Sequence, residues 1–344
     1  MTGLFRVDRF PLGARDVASY TRAAAQRMAR SGREGHPACV RLTDGGLEGG
    51  GMPTERMLHW AAAAIGSGAR VTDVRPLHGD EAPWLLSFEH AGGTTAAVLR
   101  GGPPSPRVWP FMIATGAAAL EAAEQHGLSA PRLISADLDG AQAGAVTTVE
   151  TVVHGSTLWP VPSSAERLRA AGAALAPVHA VAMAPTEHLP FRPRPIAVDD
   201  FAADRRTGRM PTTRLLEEAD QVITAHGLPA GGTGFVHGDV WPGNIIWTGD
   251  ETAVLIDWKT AGVGAPGVDL GELRKQVAII FGPEAPDLVL EGWERAAGTR
   301  AEDVAYWDGV AALNTRTELD TLDGVGATDR RDAFLLAALT SLGT

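Results

Sequence analysis

Phe235-Val-His-Gly-Asp-Val-Trp-Pro-Gly-Asn-Ile-Ile-Trp247, with Ala253-Val-Leu-Ile-Asp-Trp258 shortly after it, decides how the rest of the chain is read. His237, Asp239, Asn244 and Asp257 fall together there, between short apolar runs. Ile245–Trp247 and Ala253–Ile256 read as two buried strands, and Thr248-Gly249-Asp250-Glu251 as the turn joining them, which predicts a β-hairpin. Pairing symmetric about Asp250 and Glu251 sets Ile245 opposite Ile256, so that Asn244 and Asp257 leave the ladder side by side at its open end. An amide oxygen and a carboxylate converging on one point suit a hard, oxygen-seeking cation such as Mg²⁺. Asp239 lies on the irregular loop just ahead, where a carboxylate can orient a hydroxyl and accept its proton.

Asp-x₄-Asn followed by a second Asp is the arrangement phosphoryl transfer needs: one aspartate faces the acceptor hydroxyl, while the asparagine and the other aspartate hold metal on the phosphates. A capped turn at Asp239 or a strand end at Asp257 explains either residue alone, but not the set. His237-Gly238-Asp239 through Asn244, then Ile256-Asp257-Trp258, resembles the aminoglycoside-phosphotransferase-like family of small-molecule kinases, over roughly residues 55–320. The resemblance implies an α+β, bilobal protein-kinase-like fold, with an antiparallel-sheet N-lobe and a mostly helical C-lobe. It also implies Mg²⁺, ATP or GTP as co-substrate, and a small hydroxylated acceptor.

The chain has 344 residues, more than the ~250–300 at which single cores stop growing, so two lobes are expected. No run approaches the ~20 apolar residues of a membrane span, and the N-terminus carries no apolar signal segment. One cysteine, Cys39, excludes an intrachain disulfide and fits the cytoplasm. A net charge of −11 argues against nucleic acid as a partner. The only lysines are Lys259 and Lys275. Oligomeric state is not legible.

Residues 1–52 read as an extension: a helix over Gly13–Arg30, a short strand at Cys39–Leu42, and a flexible Gly-rich linker that lacks the lysine of a phosphate loop. The N-lobe is expected over 53–153. Met52–Ile65 predicts a helix with Pro53 in its first turn. Ala69–Pro76, Trp84–Glu89 and Thr95–Arg100 predict a β-meander. By resemblance, the backbone around Gly79 in the first turn covers the nucleotide phosphates, and Arg100, at the end of the third strand, takes the place of the usual lysine on the α/β-phosphates. In kinases a helix glutamate braces that cation. Here Pro110–His126 is the helix, and the position falls on Thr115 or Gly116, so the brace is missing or rebuilt. Leu133–Ser135 and Ala145–Val153 predict the last strands, and Glu150 to Val153 the hinge whose backbone meets the purine; Glu150 and Val152 are its cofactor-binding candidates.

Residues 154–344 predict the C-lobe. One apolar stripe runs from Ser163 to His179, with His179 as a core or loop-bracing histidine. Residues 182–211 read as a proline-rich surface excursion framing the acceptor site, and Thr212–Gly227 as a helix. After the hairpin, Lys259 is expected in solvent. Asp269 is expected as a helix N-cap which, by resemblance, packs against the catalytic loop with His237 in support. Helices near Leu270–Phe281, Ala285–Ala297, Ala301–Leu313 and Asp329–Leu342 complete the lobe. Trp293, Tyr306, Trp307 and Asp308 are candidates for the acceptor pocket, and a buried aromatic seam explains the first three equally well. The leading function is an antibiotic-inactivating O-phosphotransferase. The competitors are a metabolic kinase of the same fold, a non-catalytic nucleotide-binding protein and, distantly, a hydrolase using His237 and Asp239.

Overall fold

The alternating runs between Ala69 and Gly101 do form a meander: β1 (Arg70–His78), β2 (Glu81–His90) and β3 (Gly93–Gly101) pair antiparallel in chain order. The computed structural model describes residues 52–78, 81–102, 110–196, 198–249, 252–320 and 324–343; the readings for residues 1–51 and for Gly79 lie outside these. β4 (Leu133–Asp137) and β5 (Thr147–Thr151) complete a five-stranded sheet of order β1-β2-β3-β5-β4. β5 therefore lies between β3 and β4, and Leu99 faces Val149 in register.

One face of the sheet is apolar. Val74, Leu86, Phe88, Ala97, Leu99 and Val149 bury against Met57, Leu58 and Ala61 of α1 (Glu55–Ile65). The strand period of two then sends Val98 and Arg100 of β3, with Thr148 and Glu150 of β5, to the opposite face, toward the second lobe. Thr54 caps α1 by accepting from Met57 N–H, so Pro53 precedes the helix instead of lying in its first turn.

α2 (Pro110–Gln125) joins the lobes: its Ala119, Leu120 and Ala122 belong to the core of the helical lobe. That core gathers α3 (Ala165–Ala173), α4 (Ala176–His179), β6 (Gly234–Val236), the hairpin β7 (Ile245–Thr248) and β8 (Thr252–Leu255), α7 (Gly267–Phe281) and α8 (Ala285–Ala297). The stripe ending at His179 is split into two helices at Ala174 and Leu175. The proline-rich excursion holds a short helix, α5 (Phe201–Arg206), and α6 (Arg214–His226) follows with Thr213 as its cap. β9 (Gly262–Gly264) pairs with β6, and α9 (Val304–Leu313) and α10 (Ala327–Ser341) close the lobe. The chain thus has the expected two-lobed, kinase-like α+β architecture. No helix among the described residues is long and apolar enough to cross a membrane.

Candidate active site

The hairpin forms, but one residue out of the expected register. Ile245 faces Leu255, and Thr248 faces Thr252. Asn244 consequently sits opposite Ile256, whose N–H donates to the Asn244 carbonyl at 3.0 Å. Asp257 is the first residue beyond, and it turns out of the strand in the left-handed region, φ 66°. Aspartate tolerates that region better than most residues. Asn244 meanwhile ends a 3₁₀ turn, Pro242–Asn244, that starts after Trp241. Both side chains are therefore aimed by backbone turns at the ladder's end and not by the ladder itself.

Asp239 is placed by Gly238, which takes φ 81° where any side chain would collide with the Thr260 carbonyl. Asn244 Nδ2 donates to the Asp239 carbonyl at 2.9 Å and to its Oδ2 at 3.3 Å. The amide thus spends its hydrogens on Asp239 and leaves its oxygen available to a cation. Burial pushes Asp239 up to about 6, against the lowering charge of Lys259. Burial would also raise Asp257, but the charges of Arg100 and Lys259 outweigh it and hold that carboxyl down at about 2. Two aspartates in one cleft thus have different proton affinities.

Lys259 is not in open solvent. Its ammonium hydrogen-bonds Asp257 and stands 3.6 Å from Asp239 Oδ2, bridging the two carboxylates. Arg100 reaches the same centre from the sheet. Its Nη1 donates to Asp257 Oδ1 at 3.0 Å, and its Nε donates to Glu150 Oε1 at 2.8 Å. Glu150 thus does for Arg100 what a helix glutamate does elsewhere. The helix position expected to carry that glutamate faces Lys259 instead: a Cβ on Gly116 would lie 3.8 Å from Lys259 Cα. Glu121 and Glu124 of α2 point to solvent. The Glu150 backbone lies inside the sheet between Val98 and Leu133, and Val152 lies just past β5. Ser156, a little further on, is fixed to β7 by reciprocal backbone bonds with Trp247 at 3.1 and 2.9 Å.

The loop is supported from below. Asp269 lies in the first turn of α7, whose N-cap is Pro266, so it does not cap that helix. Its carboxylate is fully buried and accepts from the backbone N–H of His237 at 2.8 Å and of Gly238 at 2.7 Å. His179 Nε2 adds a third hydrogen bond at 3.0 Å. Trp293 Nε1 can only donate, and it donates to His179 Nδ1 at 2.9 Å, which fixes the His179 proton on Nε2. His237 has the same tautomer: Nδ1 accepts from Asp239 N–H at 3.3 Å and Nε2 donates to the Ile256 carbonyl at 2.8 Å. Burial lowers the His237 pKa, so the ring stays neutral with both nitrogens engaged, and it cannot serve as a base. Trp293, Tyr306, Trp307 and Asp308 are buried, and Asp308 pairs with Arg274; Trp293 and Trp307 also border a cavity beside His179, and Tyr306 borders another beside Arg194.

Asn244 and Asp257 offer oxygen donors suited to Mg²⁺, which takes few protein ligands and completes its shell with phosphates and water. Among the described residues no cluster of three or more His, Cys, Asp or Glu could bind a metal without such help.

A sheet lobe presenting an arginine, closed on a helical lobe that presents Asp-x₄-Asn and a second Asp, defines a kinase-type phosphotransferase. Residues 73–313 match the phosphotransferase enzyme family, APH; the chain belongs to it, and is a small-molecule phosphotransferase with a hydroxyl group as acceptor. No curated protein sequence matches the chain. Among solved structures it resembles macrolide 2'-phosphotransferase MphH from Brachybacterium faecium at 18% identity and TM-score 0.54, over 82% of this chain and 98% of that one. Amicoumacin kinase hAmiN, bound to AMP-PNP, Ca²⁺ and Ami, is similar at 12% identity and TM-score 0.54, over 77% and 88%. LicA in complex with AMP is similar at 14% and 0.53, over 82% and 97%. At these identities the likeness carries the fold.

Proposed function

We propose that the protein is a Mg²⁺-dependent O-phosphotransferase that moves the γ-phosphate of ATP or GTP to a hydroxyl of a small antibiotic. One observation carries the reading: a single ammonium, Lys259 Nζ, reaches both Asp239 and Asp257, so the loop aspartate and the aspartate beyond the hairpin share one cleft. Arg100 supplies the cation for the α/β-phosphates, and Val152, just past β5, meets the purine. Asn244 and Asp257 hold the metal, which when bound neutralises charge on the phosphates. Asp239 aligns the acceptor hydroxyl and takes its proton. The transition state of phosphoryl transfer is loose, so positioning and charge neutralisation lower the barrier more than base strength does. His237 and Asp269 hold the loop in place.

The acceptor assignment follows the macrolide and amicoumacin kinases that share the fold. A screen of nucleotide consumption against hydroxylated antibiotics, amino alcohols, sugars and homoserine-like metabolites tests it. Acceptor-dependent turnover confined to antibiotics is expected. Turnover with a metabolite alone gives the metabolic kinase instead, and nucleotide binding without turnover on any acceptor removes the catalytic reading.

A further inference from the structure

The catalytic cleft holds one more positive group than an Asp-x₄-Asn and Asp set requires. Lys259 follows the metal-type aspartate by two residues, and its side chain turns inward instead of outward. Its ammonium is hydrogen-bonded to Asp257 Oδ2 and lies 3.6 Å from Asp239 Oδ2. The backbone of the same residue lies against Gly116 of α2, where even a Cβ would come only as near as 3.8 Å. The backbone of Lys259 passes close to α2, and the ammonium rests where the two carboxylates converge.

That place has a chemical meaning. Kinase-type sites place two divalent ions between the carboxylate and amide ligands and the phosphates, where the ions offset the charge of the transferring group. Such ions need oxygen donors, and here the donors are few. Asn244 has one free oxygen because its NH₂ is spent on Asp239. Asp257 already shares its oxygens between Arg100 and Lys259. A second divalent ion bridging Asp257 and Asp239 would have to occupy the position of the ammonium, or lie beside it and be repelled by it. One divalent ion, using Asn244, one Asp257 oxygen and the phosphates, has no such conflict.

We infer that Lys259 takes the place of a second divalent ion, so that the enzyme binds one metal ion per bound nucleotide. The inference rests on the phosphotransferase reading above and deepens it: the cation that offsets charge on the acceptor side of the phosphates is covalently part of the chain. Its availability therefore does not depend on free metal concentration.

Mn²⁺ titrated into the full-length protein saturated with AMP-PNP, with free ion counted by electron paramagnetic resonance, tests this directly. Wild-type protein should retain one ion per bound nucleotide, Lys259→Gln two, and Lys259→Arg one. Two ions in the wild type, or one in Lys259→Gln, would overturn the inference while leaving metal-dependent transfer intact. No ion in nucleotide-bound wild type would overturn both. Should Lys259→Gln fail to bind nucleotide, Lys259→Met is counted in its place, with two ions expected and one overturning the inference.

Discussion

Arg100 and Glu150 meet diagonally across neighbouring strands, Nε to Oε1 at 2.8 Å, on the face of the sheet that looks into the cleft. A charge-assisted bond of this kind is roughly twice as strong as a neutral one, and it fixes a guanidinium that otherwise samples many rotamers. Glu150→Gln keeps the shape and removes the charge. We expect nucleotide affinity to fall about tenfold, the equivalent of ~1.4 kcal/mol, with little change in turnover at saturation. Glu150→Ala leaves the half-buried arginine with Asp257 alone and should cost about 2 kcal/mol of stability, read from urea unfolding. Wild-type nucleotide affinity in Glu150→Gln would remove Glu150 from the site.

The two aspartates should fail differently. Asp239 is placed by Gly238 and Asn244 to face an acceptor, so Asp239→Ala should lose about 10²–10⁴ in turnover, as expected for a general base, and keep nucleotide affinity within about twofold. Asp257 shares its carboxylate with Arg100 and Lys259. Asp257→Ala should weaken Mg²⁺-nucleotide binding instead, measured by calorimetry with AMP-PNP. Equal nucleotide affinity in both variants would contradict this division of roles.

Much of this site was legible in the sequence, and what was missed has a common cause. Asp239, Asn244 and Asp257 are found by local spacing, because one short loop and one hairpin carry them. The hairpin register slipped because loop length decides it, and a one-residue difference in the turn is not visible in apolar runs. The Glu150–Arg100 brace depends on β5 lying beside β3, a neighbour relation of the sheet that neither strand announces alone. Lys259 turns inward two residues after Asp257, which takes φ 66°, and neither feature leaves a compositional mark. The split at Ala174 and the short helix α5 were hidden in the same way, since packing against other elements outweighs helix propensity over such short spans.

Proton balance at Asp239 gives a pH dependence with a definite sign. Burial raises this carboxyl to about 6, and the charge of Lys259 lowers it. The base must be ionised to accept a proton, so kcat/KM should fall about tenfold per pH unit below about 6 and be flat above it. Lys259→Gln removes a lowering charge, and the acid limb should then move to higher pH. A limb that stays in place in this variant would show that Lys259 does not act on Asp239 electrostatically.

Gly116 gives a prediction of the opposite kind, a gain. It lies inside α2, where glycine costs about 1 kcal/mol relative to alanine. A Cβ there meets only Lys259 backbone atoms at ordinary contact distance, 3.8 and 3.9 Å. Gly116→Ala should therefore raise stability by about 0.5–1 kcal/mol and leave activity unchanged, as read by thermal unfolding and steady-state turnover. Gly238→Ala should do the reverse, because it forces a side chain into a left-handed turn and against the Thr260 carbonyl. A loss of stability in Gly116→Ala would mean that α2 sits closer to Lys259 than described.

Asp269 should make the acid stability of the fold depend on the catalytic loop. Burial alone would raise its pKa, but the hydrogen bond from His179 Nε2 and the backbone N–H bond from His237 bring it below the ordinary value. A carboxyl lowered in the folded state stabilises fully above its unfolded pKa, about 4, and loses that contribution as pH falls through the folded value. In Asp269→Asn one oxygen becomes an NH₂ that confronts backbone donors, which leaves a buried N–H of His237 or Gly238 unpaired. The cost should be about 2–4 kcal/mol between pH 5 and 8, where the wild-type carboxylate is charged. Below pH 4 the wild type begins to lose the same contribution, so the two urea midpoints should converge. A gap that stays constant down to acid unfolding would mean that the Asp269 charge does not support the loop, and that only its shape matters.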